Sequence, residues 1–200
     1  MSLYNEAWLL PFVPEYGEIA IDVGANRGMW THWLAERYMH VYAIEPNPDI
    51  LPVLKKHLPV NVTLYETAIS SEKGIFPFNV YACPDHLSCY FKDEGIATGP
   101  VLERIELPAV PLDDLAISGK VDFLKIDTEG AEVHCVLGAY KLLTFHQPEI
   151  LIEIHSSDNF KQLKGILEEW NYSYIRIDHP LLPPDSALVD EHFWLACRKD

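Results

Sequence analysis

The chain has 200 residues, of which 48% are hydrophobic, so it can bury the core of one domain without disulfide bonds. A formal net charge of −15 repels a phosphate backbone and argues against general nucleic-acid binding. The sequence has neither an N-terminal secretion signal nor an apolar run of about 18 residues. It therefore predicts a cytoplasmic protein that makes no membrane contact.

Strands and helices alternate along most of the sequence. Apolar, β-branched runs predict buried strands at Ile19–Gly24, Val41–Glu45, Val121–Asp127 and Glu149–His155, and Val62–Ser70 is predicted to hold the third strand with its exit loop. Helices are predicted at about Leu3–Leu10, at about Met29–Tyr38, at Glu132–Leu143 and at Phe160–Trp170. One more helix is predicted after Pro48, ending at about His57. This alternation predicts an α/β fold with a doubly wound, mostly parallel sheet and helices on both faces.

Two parts of the sequence depart from the alternation. Residues 74–111 contain two extended pieces, "IFPFNVY" and "IELPAVPLDDL", around a polar stretch, which predicts an irregular insertion of the kind that often carries function. The last two predicted strands, "YSYIRID" and "HFWLACRK", have no helix between them. They are therefore expected to form a C-terminal antiparallel hairpin.

The cysteines give little sign of a metal centre. Cys83, Cys89, Cys135 and Cys197 form no C-x-x-C pair, so reduced thiols are predicted and no metal is assigned. Cys83, His86 and Cys89 are spaced three apart and leave open a site with a fourth ligand from elsewhere.

The turn after the first strand predicts a cofactor site. Gly24-Ala25-Asn26-Arg27-Gly28 lacks the middle glycine that admits a dinucleotide pyrophosphate. Asp22 precedes the turn and Glu45 ends the next strand, where a carboxylate can accept both ribose hydroxyls. Glu45 does not distinguish the two cofactors, because NAD enzymes have a similar acid, but Asp22, the missing glycine and the terminal hairpin favour S-adenosylmethionine, a phosphate-free cation, over NAD.

Several blocks resemble the FkbM-type methyltransferases. "IDVGANRGMWT", "VYAIEPNP" and, most specifically, "FLKIDTEGAE" occur in that family's order, and the resemblance spans about Ile19–His155. It implies a single class I methyltransferase (Rossmann-like) domain over residues 1–200 that uses S-adenosylmethionine. It also implies methylation of a hydroxyl oxygen on a sugar, glycan or other small molecule.

The resemblance also implies which residues contact the cofactor. From the methionine-side turn through the ribose site to the adenine site, they are Asp22, Gly24, Asn26, Gly28, Thr31, Glu45, Asn47, Glu66, Thr67 and Ala68.

Acidic residues and a histidine follow the fourth and fifth predicted parallel strands. Asp127 and Glu129 follow one strand, and Glu153 and His155 lie two apart at the end of the next. Removing a hydroxyl proton needs a general base; His155 is the first candidate, with Asp127 and Glu153 as rivals. Asp127 or Glu129 could instead cap the following helix, and the cluster could hold a divalent metal. Lys125 is expected to be buried with its ammonium group paired.

Two other functions remain open. The domain could bind the cofactor or a partner without catalysis, or it could be an NAD-dependent oxidoreductase. The sequence predicts neither the acceptor nor the oligomeric state.

Overall fold

Seven strands form the central sheet of the chain, and four others form a second sheet beside it. The computed structural model describes residues 6–81, 89–90, 101–180, 182 and 192–199. The strands are β1 Gly17–Val23, β2 Tyr38–Ile44, β3 Val62–Tyr65, β4 Ala68–Ile69, β5 Gly74–Tyr81, β6 Cys89–Tyr90, β7 Val101–Val110, β8 Val121–Ile126, β9 Glu149–Ile154, β10 Tyr172–Asp178 and β11 Phe193–Lys199. The α-helices are α1 Met29–Ala35, α2 Leu51–Lys56, α3 Glu132–Leu137, α4 Tyr140–Phe145 and α5 Ser157–Glu169, with 3-10 helices at Glu6–Phe12 and Leu112–Asp114.

The central sheet has the strand order β10-β11-β9-β8-β1-β2-β3. β3, β2, β1, β8 and β9 pair in parallel, whereas β11 is antiparallel to both of its neighbours, β9 and β10. The doubly wound α/β sheet and the closing antiparallel hairpin are thereby confirmed. The last strand in sequence order does not form the edge, because it inserts between two earlier strands.

Both faces of the central sheet are buried, which explains the continuous apolar runs of its strands. On one face, Ile21 of β1 and Leu124 of β8 belong to the larger hydrophobic cluster. On the other face, Ala20, Phe123 and Leu151 belong to a second cluster, which includes residues of the N-terminal 3-10 helix and of α1. The sheet is therefore rigid at its centre, where β1 and β8 lie side by side.

The second sheet has the order β4-β7-β5-β6. β5 and β7 correspond to the two extended pieces predicted in the insertion, and they pair antiparallel from Gly74–Ala109 to Tyr81–Val101. The third strand predicted at the start of Val62–Ser70 is β3, which ends at Tyr65; within the predicted exit loop, Ala68–Ile69 forms the short strand β4, which pairs with β7. Much of the polar stretch between β5 and β7 lies outside the described residues.

The single helix predicted over Glu132–Leu143 is two helices, α3 and α4. Gly138 lies between them, and a Cβ on it would overlap the carbonyl oxygen of Ser70. The carboxylate of Asp113 accepts a hydrogen bond of 2.9 Å from the backbone N–H of Leu142 in the first turn of α4. The predicted helix is thus divided by the close approach of Gly138 to Ser70 and by the Asp113 side chain, which accepts a hydrogen bond from the start of α4.

The N-terminal helix and α1 also differ from prediction. Glu6–Phe12 is a 3-10 helix in place of the helix predicted at about Leu3–Leu10. α1 ends at Ala35 because the chain extends into β2 from Tyr38. Among the described residues, no helix combines the length and the apolar character needed to cross a bilayer.

Candidate active site

The glycine turn connects β1 to the end of β8. Gly24 has φ +80°, and a Cβ on it would overlap the carbonyl oxygen of Asp127. The backbone N–H groups of Gly24 and Ala25 both donate to the carbonyl of Ile44, at 3.0 Å each. Only glycine fits this combination of left-handed backbone and close approach. The turn thus joins the ends of β1, β2 and β8 in one place.

Asp22 lies beneath this turn, fully buried. One carboxylate oxygen accepts a 2.6 Å hydrogen bond from the Thr31 hydroxyl, and the other is 3.3 Å from the ammonium nitrogen of Lys125. That nitrogen is also 3.3 Å from Asp127 and donates to the carbonyl of Gly24 at 3.1 Å. Lys125 is therefore buried and paired, as expected from the sequence.

The two carboxylates of this group stabilise the charge on Lys125. Burial alone would lower the pKa of Lys125, but the carboxylates of Asp22 and Asp127 outweigh it and raise that pKa above its ordinary value. Asp22 does not line the cleft described below. It stabilises the floor of the turn, and its negative charge is directed at Lys125.

Glu45 immediately follows β2 and is almost completely buried. Its two carboxylate oxygens accept hydrogen bonds from the backbone N–H groups of Asn26 and Asn47, each at 2.8 Å. Burial raises the pKa of Glu45 to about 7, although both hydrogen bonds act in the opposite direction. Since a carboxylate has about four acceptor positions, Glu45 can still accept from a ligand hydroxyl.

A cleft of about 610 Å³, counting the open space at its mouth, runs along the strand ends. The lining comes from the glycine turn, the end of β2 and the segment after it, β4 and the residue before it, Phe78 of β5, and the segment after β8. The residues are Val23, Gly24, Asn26, Ile44, Glu45, Pro46, Asn47, Ile50, Thr67, Ala68, Ile69, Phe78, Asp127, Thr128 and Glu129.

A buried histidine lies beyond the Asp127 end of the cleft. Nδ1 of His155 is 3.0 Å from Oε1 of Glu132, and Nε2 is 3.2 Å from Glu129, 3.7 Å from Glu153 and 3.9 Å from Asp127. Burial opposes protonation of the ring, but Glu129, Glu153 and Glu132 raise the pKa of His155 well above its ordinary value. The carboxylates on both sides of the ring therefore favour the protonated form of His155.

The carboxyl groups around His155 differ in charge state. Burial and the charge of Asp127 raise the pKa of Glu153 well above its ordinary value. For Asp127, burial is outweighed by Lys125 and His155, so its pKa is lowered. Burial is likewise outweighed at Glu132, whose pKa is lowered by His155. The cluster thus contains ionised carboxylates next to one carboxyl group that holds its proton more tightly.

The backbone fixes both ends of this cluster. Glu129 has φ +53°, and Glu132 opens α3. Glu132 accepts hydrogen bonds from Gly130 N at 2.7 Å and from Nδ2 of Asn159 at 2.8 Å. The N-terminus of α3 has no side-chain cap, so the alternative that Asp127 or Glu129 caps this helix is wrong.

A divalent metal could be held in the cluster. Ligand atoms of Asp127, Glu153 and His155 lie within 4.8 Å of one another. The proton on Nε2 of His155 would have to leave before a metal could bind there. The alternative metal site with Cys83, His86 and Cys89 lies outside the described side chains, and Cys135 and Cys197 are buried free thiols.

The structure brings together most of the predicted site residues. Eight of them line the cleft: Gly24, Asn26, Glu45, Asn47, Thr67, Ala68, Asp127 and Glu129. Glu153 and His155 adjoin Asp127. Gly28 precedes α1 with φ +89° and, like Asp22 and Thr31, is not among the lining residues. Glu66 is half exposed and pairs with Lys55 at 2.6 Å.

Three residues of interest were missed in the sequence. Phe78 lines the cleft from β5, and the alternation within "IFPFNVY" could have indicated its burial. Glu132 was noted as an acid one helical turn beyond Glu129, but its contact with His155 was not predicted. The carboxylate of Glu6 accepts a hydrogen bond from the indole N–H of Trp30, and no pattern in the sequence indicates that contact.

Comparisons with known proteins agree with this geometry. The sequence model described as "Methyltransferase FkbM domain" matches residues 22–174. Uncharacterised methyltransferases of Mycobacterium tuberculosis and Mycobacterium bovis are 41% identical over 61 residues, which are 30% of this chain and 24% of each relative. The aligned part of the chain thus spans about a quarter of the length of these curated relatives.

Solved structures share the fold. Methyltransferase FkbM from Methylobacillus flagellatus has a TM-score of 0.64 and 18% identity, covering 90% of this chain and 43% of that one. An rRNA methylase from Streptococcus thermophilus has a TM-score of 0.57 and 13% identity, covering 96% and 92%. A Streptococcus mutans protein in complex with SAH has a TM-score of 0.59 and 12% identity, covering both chains fully. The chain has the class I fold of S-adenosylmethionine-dependent methyltransferases and belongs to the FkbM methyltransferase family.

Proposed function

We propose that this domain transfers a methyl group from S-adenosylmethionine to a hydroxyl oxygen of a sugar, a glycan or a small metabolite. The observation that carries the proposal is a single cleft with Glu45 along it and Asp127 and Glu129 at its far end. Glu45 is suited to the ribose hydroxyls, and Thr67 and Ala68 to the adenine. The methionine part is then directed to the glycine turn and the acidic cluster.

The polar atoms of the glycine turn fit this cofactor better than NAD. Asn26 occupies the position of the middle glycine in a dinucleotide turn, and its φ is +50°. Its side-chain oxygen is buried and has no hydrogen-bond partner within the described residues. An acceptor oxygen at this point favours a ligand N–H or O–H group and disfavours a pyrophosphate.

We propose Glu153 as the general base, in place of His155. Carboxylates face both ring nitrogens of His155 and favour its protonated form, which has no lone pair with which to accept a proton. Glu153 lies 3.7 Å from Nε2 of His155, beside Asp127, and its raised pKa makes it the strongest base among these carboxylates. His155 acts as a positioning residue that balances the negative charge of the cluster.

The cofactor, when bound, supplies an electrophilic methyl group and a positive charge. That charge favours the ionised form of Glu153 before the reaction. As the new oxygen–carbon bond forms and the sulfur–carbon bond breaks, Glu153 accepts the hydroxyl proton on a carboxylate oxygen. Loss of the positive charge then restores the high proton affinity of Glu153, so proton transfer and methyl transfer reinforce each other.

The charge around the strand ends supports a neutral or cationic acceptor. The carboxylates of Asp127 and Glu129 would repel a phosphodiester brought to the same place. A similar fold occurs in an rRNA methylase, so RNA belongs in any acceptor panel. We propose a sugar hydroxyl and expect no transfer to RNA. The cytoplasmic location remains a prediction, one with which the buried free thiols agree.

The test is incubation of the protein with methyl-labelled S-adenosylmethionine and panels of glycans, hydroxylated metabolites and RNA. Label transferred to a hydroxyl oxygen would support the proposal, and label on nitrogen, carbon or RNA would overturn the acceptor class. Tight cofactor binding with no transfer to any acceptor would favour a non-catalytic binding domain. NAD binding without a response to S-adenosylhomocysteine would favour an oxidoreductase.

A further inference from the structure

The loop of residues 128–130, between β8 and α3, forms part of the wall of the cleft. Thr128 and Glu129 are both lining residues. The backbone of Glu129 has φ +53° and that of Gly130 has φ +111°, so two successive residues of the loop have positive φ. This conformation is unfavourable for a residue with a Cβ, and contacts with the rest of the protein must therefore hold Glu129 in it.

The first of these contacts comes from Glu132, which is fully buried at the start of α3. Its Oε1 atom accepts hydrogen bonds from the backbone N–H of Gly130 at 2.7 Å and from the hydroxyl of Thr128 at 3.3 Å. The same oxygen lies 3.0 Å from Nδ1 of His155. One carboxylate oxygen thus connects the loop to the end of β9.

The second contact comes from Asn159 in the first turn of α5. Its Nδ2 atom donates to the backbone carbonyl of Gly130 at 3.0 Å and to Oε2 of Glu132 at 2.8 Å. An amide nitrogen has two hydrogens, so it can make both bonds. Both partners are acceptors, which requires that the nitrogen and not the oxygen of the amide faces them. Asn159 therefore joins the loop to the carboxylate that also holds it.

Helix α5 gives Asn159 a fixed position. The hydroxyl of Ser156 caps the helix and accepts a hydrogen bond of 3.1 Å from the backbone N–H of Asn159. Leu163 and Leu167 follow at intervals of four residues on the same side of the helix, and both are fully buried in the core. The helix is thus held by its own cap and by the core, independently of the loop.

We propose that Asn159 is a positioning residue that holds the loop in the shape in which Thr128 and Glu129 form the wall of the cleft. The inference rests on the proposed binding of the cofactor in this cleft. Asn159 is not among the lining residues and acts through its hydrogen bonds to the loop. A loop that is held in shape before binding spares the ligand the cost of ordering it.

The test uses two variants and one control. Asn159→Leu removes both donors and keeps a side chain of similar shape. Asn159→Ala removes them without a bulky group that could crowd the loop. Ser156→Ala is the matched control, because it removes the cap of the same helix but no hydrogen bond to the loop.

Hydrogen exchange, followed by NMR on the protein without ligand, gives a local measurement. The ratio of the exchange rates of the Gly130 and Leu163 amides separates movement of the loop from loss of helix stability. We expect this ratio to rise by about tenfold or more in both Asn159 variants and to stay at the wild-type value in Ser156→Ala.

Calorimetric titration with S-adenosylhomocysteine measures the consequence for binding. We expect both Asn159 variants to bind it about three- to tenfold more weakly, as for a loop that has the binding shape for only about a third to a tenth of the time. Ser156→Ala should bind it like the wild type.

Faster exchange at Gly130 together with weaker binding supports the inference. Unchanged exchange would show that the loop is held without Asn159, and faster exchange with unchanged affinity would show that the shape of the loop does not matter for binding; either result overturns the inference. It is also overturned if Ser156→Ala behaves like the Asn159 variants. A wild-type protein that does not bind S-adenosylhomocysteine would overturn the proposed function, whereas the exchange ratios would still decide whether Asn159 holds the loop.

Discussion

The Nδ1 atom of His155 lies 3.0 Å from the Oε1 atom of Glu132, and both side chains are buried. Glu132→Gln removes the ionised partner and leaves a buried cation without its closest anchor. We therefore expect the free energy of unfolding to fall by about 3–5 kcal/mol. Chemical denaturation at pH 7 measures the change. A loss below about 1 kcal/mol would contradict a charged His155–Glu132 pair.

The same pair predicts how stability depends on pH. Because the folded-state pKa of His155 is raised, its contribution is complete below the unfolded-state pKa of about 6.5. The contribution is lost as the pH rises through the higher folded-state value. Wild-type stability should therefore decline from neutral to alkaline pH more steeply than that of His155→Gln. Parallel denaturation curves for both proteins between pH 6 and 9 would show that His155 is not protonated.

Glu153→Gln should abolish most of the turnover without loss of cofactor affinity. The amide keeps the shape of the side chain but cannot accept the hydroxyl proton, so we expect kcat to fall by about 10²–10⁴. Glu149→Gln, at the surface end of the same strand, is the control. Wild-type kcat should rise with pH as Glu153 ionises. Near-normal turnover in Glu153→Gln would assign the base to another residue.

Glu45→Gln should weaken S-adenosylmethionine by about tenfold or more, because a charged acceptor for the ribose hydroxyls becomes neutral. Since the pKa of Glu45 is about 7 without ligand, wild-type affinity should increase between pH 6 and 8, and the variant should lose much of that increase. Titration calorimetry at three pH values tests both points. Glu66→Gln is the control, because Glu66 pairs with Lys55 outside the cleft. A large loss of cofactor affinity in Glu66→Gln would indicate that Glu66 contacts the adenine after all.

Asp22→Asn should lower the free energy of unfolding, because Asp22 supports the glycine turn and does not contact the cofactor directly. Asp22 is fully buried against Thr31 and Lys125, so its neutralisation leaves Lys125 with fewer anionic partners. We expect a loss of about 3 kcal/mol, seen as a lower melting temperature. Thr31→Val, which removes one hydrogen bond to the same carboxylate, should cost about 1 kcal/mol. If Asp22→Asn melted like the wild type but failed to bind cofactor, Asp22 would be a direct ligand contact.

Chelation tests the unassigned metal. Because the carboxylates around His155, Glu129 among them, favour the protonated ring over a metal-bound one, we expect EDTA to leave turnover unchanged. A matched reaction with added Mg²⁺ completes the experiment. If EDTA abolished turnover and Mg²⁺ restored it, Asp127, Glu153 and His155 would be the first residues to substitute.

Local sequence patterns predicted the central sheet well. β1, β8 and β9 are apolar runs that are buried on both faces, as predicted. Candidate site residues lie at the end of β9, where Glu153 is found, and directly after β1 and β8. The pairing of β4 with β7 was not predictable in this way, because Ala68 and Ala109 are far apart in sequence. The break between α3 and α4 likewise depends on Asp113 and Ser70, which contact those helices only after folding.

The site was predicted by residue type more reliably than by role. Asp22 and Glu45 both stood out as acids near the cofactor turn, yet Asp22 is neutralised by Lys125 whereas Glu45 lines the cleft. Protonation could not be deduced from the sequence, since the pKa of His155 depends on the carboxylates that three separate elements place around it. The contact between Glu6 and Trp30 could not be predicted from the sequence, because the two residues meet only after folding.

The position of β11 between β9 and β10 affects how the domain can be made in the cell. Trp194 of β11 pairs with Glu153 of β9, so the strand that carries the proposed base gains its second neighbour only when β11 arrives. During synthesis, β11 must therefore leave the ribosome before β9 can complete its pairing in the sheet. Premature termination anywhere before Phe193 would leave β9 as an uncovered edge, which invites aggregation and proteolysis.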